Sequence, residues 1–177
     1  SFTRNNFECV QSWVTAYDVN PGDATLAFYE KSNRYHEEFK NKFNITDKTD
    51  WFQLKDDLYK DFYKDKGCKL QYIKCPSGSL VLWDSRTIHC GQEALKTRKK
   101  PNIRCVSYLC YTPRKLATKN ILKKKIKAFE NIRTTSHWPH KPKLFPLKPR
   151  TYGQEIAPIS KINIPIINDL GKKLVGY

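Results

Sequence analysis

Two residues in the middle of the chain, His89 and Arg104, have side chains that could together hold a metal ion and a carboxylate. A neutral imidazole is the commonest protein ligand for metals, and the planar Arg fork binds both oxygens of a carboxylate. His89 follows a short apolar strand and a polar tip that come after Gly78, and Arg104 lies near the start of the apolar run 103–111. On neighbouring strands, the two side chains would hold a metal and a dicarboxylate side by side.

The residues around His89 and Arg104 help to decide whether these two side chains form a functional site or have ordinary structural roles. A lone His at the end of a strand is usually a hydrogen-bonded or surface residue. Here Asp84, Arg86 and Thr87 concentrate polar groups at the end of an apolar strand, which favours a site. Arg104 has Ile, Cys and Val close to it, so it must be paired, exposed at a sheet edge or available to an anion.

The elements that would position these residues are mostly strands. The β-branched and aromatic residues of 7–19 predict a long strand, the segment 20–23 (NPGD) predicts a turn, and 24–29 predicts a strand that returns beside the first in a hairpin-like pair. Alternation at 69–75 and the apolar run 79–83 predict two more strands. Strands separated by turns predict a mainly β fold with flanking helices, either an antiparallel sandwich or a jelly roll.

Two helices are expected between these strands. Tyr35, Phe39 and Phe43 recur at helical spacing and predict a surface helix. The run 50–66 has a wide aromatic face, which predicts a helix packed on the core rather than a ligand site. This second helix is expected to have Asp50 as its N-cap and Gly67 as its C-terminal stop.

The last third of the chain differs in composition. Residues 115–133 predict a basic amphipathic helix at the periphery of the domain, with lysines on its solvent face. Residues 134–150 hold four of the ten prolines, which excludes a helix or a central strand there. Residues 156–167 are a candidate edge strand.

These segments predict the domain organisation. We expect a β domain at 1–133, with a helical insert at 31–66 and a peripheral helix at 115–133. A Pro-rich extended tail at 134–177 is expected to pack on this domain. A chain of 177 residues is long enough for one such core.

The net charge of +16 is unevenly placed. Residues 67–177 carry 23 basic and only five acidic side chains, a net charge of +18. Such a field could attract nucleic acid or an acidic partner surface. However, 25 of the 33 basic residues are Lys, and Asn, Ile, Tyr and Phe are abundant too, which is typical of an AT-rich coding sequence. The positive charge could therefore serve a binding function or reflect only the base composition of the coding sequence.

The spacing of the cysteines and the hydropathy of the chain bear on where in the cell the protein is located. The six cysteines show no C-x-x-C spacing, and we interpret them as mostly reduced thiols of an intracellular protein, in the cytoplasm or within a viral particle. A disulfide pair stays open as an alternative. No run approaches the roughly 18 apolar residues of a membrane span.

Two segments resemble the C-terminal half of the phytanoyl-CoA dioxygenase-like family: 78–91 (GSLVLWDSRTIHCG), and 102–104 (NIR) with the strand after it. The segments 11–19 and 22–26 resemble an earlier strand and turn of that family, so the resemblance covers roughly residues 7–112. Members are Fe(II)- and 2-oxoglutarate-dependent oxygenases built on a double-stranded β-helix, a cupin-like jelly roll. The resemblance therefore implies that fold, with Fe(II) and 2-oxoglutarate as cofactors.

The resemblance also implies roles for individual residues. His89 resembles the distal His that binds iron, and Arg104 resembles the Arg that pairs with the far carboxylate of 2-oxoglutarate. Trp13 takes the place of an aromatic residue that lines the cosubstrate pocket. Arg98 is the alternative to Arg104, because the intervening loop is longer than is usual in the family. Arg104 is preferred because the apolar strand continues directly after it.

The chain departs from the family in its iron ligands. The iron triad needs a second His and a carboxylate, which the family supplies as an H-x-D pair, and no H-x-D occurs here. His36 and Glu38 offer only an H-x-E on a predicted surface helix. His137 and His140 could form a weak metal pair, but Pro139 lies between them and further ligands are lacking.

Three functions therefore stay open. In the family the H-x-D pair would precede Ser1, and the chain has no Met, so we expect the C-terminal part of a longer dioxygenase (a hydroxylase) of unknown substrate. Residues 1–177 alone are then expected to be inactive. The second possibility is a catalytically inactive jelly-roll structural or interaction protein with a basic docking surface. The third is an oxygenase that acts on nucleic acid.

Overall fold

The computed structural model describes residues 2, 6–46, 51–148, 151–157 and 162–177. The chain divides into two compact units, Ser1–Cys110 and Tyr111–Tyr177. The described strands belong to the first unit, with β6 ending one residue beyond its boundary, and the described residues of the second unit include two α-helices. In the described residues no helix is long and apolar enough to cross a membrane.

The strands of the described chain form two three-stranded sheets, with the orders β4-β1-β6 and β3-β2-β5. Their bounds are β1 Val10–Thr15, β2 Thr25–Tyr29, β3 Leu70–Tyr72, β4 Leu80–Asp84, β5 His89–Gln92 and β6 Val106–Tyr111. The chain passes from one sheet to the other at every connection except the one between β2 and β3. The prediction of a mainly β, antiparallel fold with added helices is confirmed at this level.

The expected hairpin-like pairing of 7–19 with 24–29 is wrong. β1 pairs with β4 and neighbours β6, whereas β2 pairs with β3 and β5. The predicted turn is present, because the Asp23 N–H donates to the Asn20 carbonyl at 3.0 Å. Turn residues determine where the chain reverses, but they do not determine which strands then share hydrogen bonds.

One apolar cluster joins the two sheets. Trp13 of β1 and Leu26 of β2 are buried together, and Val106 of β6 packs against them. Successive side chains of a strand point to opposite faces. On β4, Val81 and Trp83 accordingly pack on this cluster, whereas the outward-facing leucines, Leu80 and Leu82, are 49% and 54% exposed. The cluster therefore marks the interior between the sheets.

The predicted helical insert lies between β2 and β3. A 3-10 turn at Ser32–Tyr35 leads into α1 (His36–Lys42), and α2 spans Asp57–Asp65. The helix α2 is shorter than the predicted 50–66, because its N-cap is Asp56, whose side chain accepts the Leu58 N–H at 2.9 Å.

The two ends predicted for α2 have different outcomes. The expected N-cap, Asp50, lies outside the described residues. The expected stop, Gly67, follows the C-cap residue with φ +73°, a conformation that glycine adopts without strain.

The aromatic side chains of α1 and α2 form a second core. The fully buried ring of Phe39 has five aromatic neighbours with centroid distances between 4.8 and 5.4 Å. These neighbours are Phe2, Phe43, Tyr59, Phe62 and Tyr63. The aromatic stripe of α2 is thus core packing, as predicted. The helix α1 is more than a surface helix, because its Phe39 side lies in the centre of this cluster.

The second unit contains α3 (Lys119–Glu130) and α4 (Asp169–Val175). The helix α3 is shorter than the predicted 115–133, because Thr118 caps it by accepting the Ile121 N–H at 3.3 Å. The helix α4 was not expected from the sequence. The edge strand predicted at 156–167 is wrong for its described residues, which form no strand.

Candidate functional site

His89 is the first residue of β5 and faces the interior between the sheets. It pairs with Phe28 of β2, and paired residues of antiparallel strands point to the same side of their sheet. Phe28 lies two residues after Leu26 and therefore shares its interior face. The His89 ring also meets the Trp83 ring edge-on, with 5.3 Å between the centroids.

A short hydrogen bond orients the His89 imidazole. Its Nδ1 lies 2.7 Å from the Thr87 carbonyl oxygen. Because a carbonyl only accepts, Nδ1 carries the proton, and the lone pair of the neutral ring lies on Nε2. Metal-binding His residues are commonly held in this way, with the other ring nitrogen donating to a backbone carbonyl. His89 therefore fits a metal ligand that would bind through Nε2.

The turn before His89 contains an ion pair. Arg86 donates to both carboxylate oxygens of Asp84, with Nη2 2.7 Å from Oδ2 and Nε 3.0 Å from Oδ1. Burial raises the pKa of Asp84, but the hydrogen bonds from Arg86 outweigh it, so this pKa lies below its ordinary value. Asp84 is therefore an ionised partner of Arg86 that organises the turn.

Ser32 fixes the backbone that carries His89. This fully buried hydroxyl accepts the Ile88 N–H at 2.9 Å and donates to the Tyr29 carbonyl at 2.7 Å. Ile88 directly precedes His89, so the contact holds the start of β5 against the end of β2. Sequence reasoning missed Ser32, because a Ser ahead of a helix looks like an ordinary cap.

Arg104 lies two residues before β6 rather than inside the predicted strand 103–111. The expected arrangement on neighbouring strands is also wrong, because β5 and β6 belong to different sheets. The Ala16 N–H donates to the Cys105 carbonyl at 2.9 Å, which places Arg104 beside the end of β1. The two candidate residues therefore come from opposite sheets of one unit.

The guanidinium of Arg104 is bound by an aromatic side chain. Its Nη2 donates to the Tyr108 hydroxyl at 2.8 Å, and the guanidinium carbon lies 5.8 Å from the centroid of that ring. Among the residues that the structure describes, no acidic side chain forms an ion pair with Arg104. An Arg that is half-buried without a carboxylate partner is suited to bind an anion.

Arg98, the alternative to Arg104, has a structural partner. Its Nε donates to Oδ1 of Asp23 at 2.6 Å, and Asp23 is only 4% exposed. The hydrogen bond from Arg98 is the main reason that the pKa of Asp23 is lowered to about 2. This ion pair favours Arg104 over Arg98 as an anion-binding residue.

Trp13 lies in the middle of β1 with 1% of its surface exposed. Its indole N–H has no acceptor among the described residues, whereas the Trp83 indole N–H donates to Gln11 Oε1 at 3.0 Å. Buried N–H groups are rarely left unpaired, because the missing hydrogen bond costs about 1–3 kcal/mol. The orphaned donor fits a residue that faces a polar ligand, which is the role expected of Trp13.

The other residues considered as metal ligands pack against or pair with neighbouring side chains. His36 is buried and stacked on Phe2 at 4.5 Å, and the Glu38 carboxylate lies 2.6 Å from Lys66 Nζ. His140 meets the Trp138 ring edge-on at 5.6 Å. Within the described part of the chain, no group of three or more His, Cys, Asp or Glu side chains could hold a metal. His89 is thus a single candidate ligand, and these residues do not complete an iron triad.

Comparison with known proteins gives a distant relative. The chain is 30% identical over 141 residues to the Ava biosynthesis cluster protein O of Aspergillus versicolor. The match covers 75% of this chain and 44% of the relative, so the chain spans less than half the length of that protein. No family model matches, and neither does any solved structure. The resemblance to the phytanoyl-CoA dioxygenase-like family stays a prediction based on the residues themselves.

Proposed function

We propose that the intact protein is an Fe(II)- and 2-oxoglutarate-dependent dioxygenase that hydroxylates its substrate. One observation carries this proposal. His89 faces the interior between the sheets, and the Thr87 carbonyl holds its ring in the tautomer that presents a lone pair on Nε2. A metal ligand needs both the position and the tautomer.

The strand order supports the proposal. A jelly roll has eight strands in two sheets, and the order here, β4-β1-β6 facing β3-β2-β5, matches its third to eighth strands. In this assignment His89 begins the seventh strand and Arg104 precedes the eighth. Two strands and the H-x-D pair would come from sequence outside residues 1–177.

The residues of this chain would bind and orient the cofactors. His89 would hold iron, and Arg104 would bind the far carboxylate of 2-oxoglutarate through its fork. Trp13 would line the cosubstrate pocket with its orphaned N–H. Bound iron and 2-oxoglutarate would activate dioxygen, which is the oxidant for the hydroxylation. The described residues lack the rest of the triad, so the proposal requires two more ligands from elsewhere in the protein.

The relative favours one class of substrate. Its name describes a protein of a biosynthesis cluster. We therefore favour hydroxylation of a small molecule over modification of nucleic acid.

Binding measurements on the full-length protein test the proposal. Anaerobic titration with Fe(II) and then with 2-oxoglutarate is compared for the wild type, His89→Ala and Arg104→Gln. We expect His89→Ala to weaken iron binding by at least about tenfold. Arg104→Gln should weaken 2-oxoglutarate binding by about 10- to 100-fold, because it removes a charged hydrogen-bond partner worth about 1.5–3 kcal/mol.

Matched controls separate these effects from general damage. His137→Ala and Arg34→Gln change the same residue types outside the candidate site and should bind both ligands as the wild type does. Iron binding that is unchanged in His89→Ala would contradict the proposal, as would a full-length sequence without an H-x-D pair ahead of β1.

A basic face on α3 favours a second candidate function. Lys119, Lys123 and Lys127 recur every four residues, are exposed, and form no ion pair within the described chain. Lys125 points elsewhere, because its Nζ donates to the Leu174 carbonyl at 2.8 Å. Three unpaired cations in a row would suit a polyanion such as nucleic acid or an acidic partner surface. In this alternative the protein is an interaction protein without catalysis, or an oxygenase that acts on nucleic acid.

A further inference from the structure

We propose that Cys9 and Cys110 are a redox-sensitive pair that glutathione disulfide converts to a disulfide. Their Sγ atoms lie 3.2 Å apart although the residues are 101 positions apart in the sequence. Both are thiols in this structure. A disulfide bond is about 2.05 Å long, so closure requires the sulfur atoms to approach by only about 1 Å. This proposal does not depend on the proposed oxygenase function.

The backbone already holds the two cysteines side by side. Cys9 immediately precedes β1, Cys110 lies in β6, and the two strands are neighbours in one sheet. The Ser12 hydroxyl donates to the Leu109 carbonyl at 3.3 Å, which joins the same two strands close to the sulfur atoms. Disulfide formation would therefore leave the sheet pairing intact.

The exposure of the two thiols sets the order of reaction. Cys9 is only 2% exposed, whereas Cys110 is partly exposed. The Cys110 thiolate would attack glutathione disulfide first, forming a mixed disulfide and releasing one glutathione thiolate. The Cys9 thiolate would then attack the Cys110 sulfur and release the second glutathione. Two protein thiols are oxidised and one glutathione disulfide is reduced to two glutathione molecules, so atoms and electrons balance.

The new bond would reinforce the framework of the candidate site. It would join β1, which carries Trp13, to β6, which follows Arg104. The Cys9 carbonyl also accepts the Ser85 N–H at 3.1 Å, so the bond would fasten the turn that precedes His89. A crosslink between residues so far apart in sequence restricts the unfolded chain strongly and should raise the unfolding temperature.

Redox titration of the full-length protein tests the pair. The wild type is equilibrated with mixtures of oxidised and reduced glutathione, thiols are blocked, and peptides are mapped by mass spectrometry. We expect a Cys9–Cys110 linked peptide, with a loss of about 2 Da relative to the two thiols. The oxidised protein should unfold roughly 5 to 15 °C above the reduced one, and a reductant should reverse the change.

Cysteine variants test the order and the specificity. Cys9→Ser should trap glutathione on Cys110, because the resolving thiol is gone, whereas Cys110→Ser should leave Cys9 largely unmodified. Cys105→Ser, at an exposed position, should form the crosslink as the wild type does. Cys110→Ala checks that the hydroxyl introduced by Cys110→Ser is not responsible for the result.

Two outcomes would overturn the proposal. One is a wild type that forms no Cys9–Cys110 linkage at any glutathione ratio while the exposed Cys90 and Cys105 become glutathionylated. The other is a crosslink that joins a different pair of cysteines.

Discussion

The Nε atom of Arg98 lies 2.6 Å from Oδ1 of Asp23, and this contact fastens the long loop before β6 to the turn between β1 and β2. The same carboxylate oxygen accepts the Asn102 N–H at 2.9 Å, and the Leu95 N–H donates to the Gly22 carbonyl at 2.9 Å. The loop is thus held along its length. Arg98, the sequence alternative to Arg104, positions the segment that leads to Arg104.

The Asp23 ion pair predicts a pH dependence of stability. The pKa of Asp23 is lowered to about 2 in the fold, against about 3.9 for an unfolded Asp. A carboxyl with a depressed pKa contributes stability above its unfolded pKa, and this contribution is lost as the pH falls through the folded value. We expect Asp23→Asn to lower the free energy of unfolding at pH 7. Its stability should also vary less between about pH 4 and pH 2.

Urea unfolding at several pH values between 2 and 7 measures this effect. Asp65→Asn is the matched control, because Asp65 is exposed on α2 and forms no ion pair in the described part of the chain. If Asp23→Asn and the wild type lost stability equally over the acid range, the structural role given to this pair would be wrong.

The burial of Phe39 predicts that the aromatic core of α1 and α2 contributes strongly to the free energy of unfolding. Its ring is fully buried against five aromatic neighbours, so Phe39→Ala leaves a cavity as well as removing apolar packing. We expect the free energy of unfolding, measured by chemical denaturation, to fall by about 3–5 kcal/mol. Phe145→Ala, at a half-exposed ring, should cost about 1 kcal/mol or less. Equal losses in the two variants would contradict this assignment of the core.

Ser32→Ala tests the support of the His89 backbone. The change leaves the Ile88 N–H without its buried acceptor, which should cost about 1–3 kcal/mol of stability. In the full-length protein it should also weaken iron binding, because His89 follows Ile88 directly. Ser107→Ala, at an exposed position of β6, should change neither quantity. If Ser32→Ala were destabilised but bound iron as tightly as the wild type, the proposed role of Ser32 in positioning His89 would be wrong.

The basic face of α3 predicts a salt-dependent interaction if the second function holds. Replacing Lys119, Lys123 and Lys127 by Gln should reduce the slope of log affinity for duplex DNA against log salt concentration by about 2.7, because each phosphate that is no longer neutralised lowers it by about 0.9. The control replaces three exposed lysines of the first unit, Lys55, Lys69 and Lys74, which gives the same net charge. Equal slopes for the two triple variants would show that this face is not the binding surface.

Local sequence patterns predicted where the turns, strands and helices lie better than they predicted which strands pair with each other. The turn at 20–23 and the aromatic helix around Phe62 follow from neighbouring residues, and both are present. The pairing of β1 with β4 depends on segments far apart in the sequence, and the alternation of side chains is equally compatible with a local hairpin.

The candidate site was predictable in the same limited way. His89 and Arg104 could be selected because their chemistry is unusual beside apolar strands. The supporting contacts of Ser32 and Asp23 could not, because a Ser or Asp in a turn has the same sequence pattern whether it caps, bridges or stays exposed. The contacts in the folded chain are needed to distinguish the two arginines. Arg98 has a carboxylate partner, whereas Arg104 has a Tyr partner.

The strand order has a consequence for synthesis on the ribosome. Trp13 of β1 is registered against Val81 of β4, so β1 cannot complete this pairing until β4 has been made. At about 5–20 residues per second, the wait lasts roughly 3 to 14 s. The helices α1 and α2, whose aromatic contacts are closer in sequence, can pack during that interval. For those seconds the apolar strand β1 is open to pairing with other chains, and chaperones that shield extended segments should associate with it.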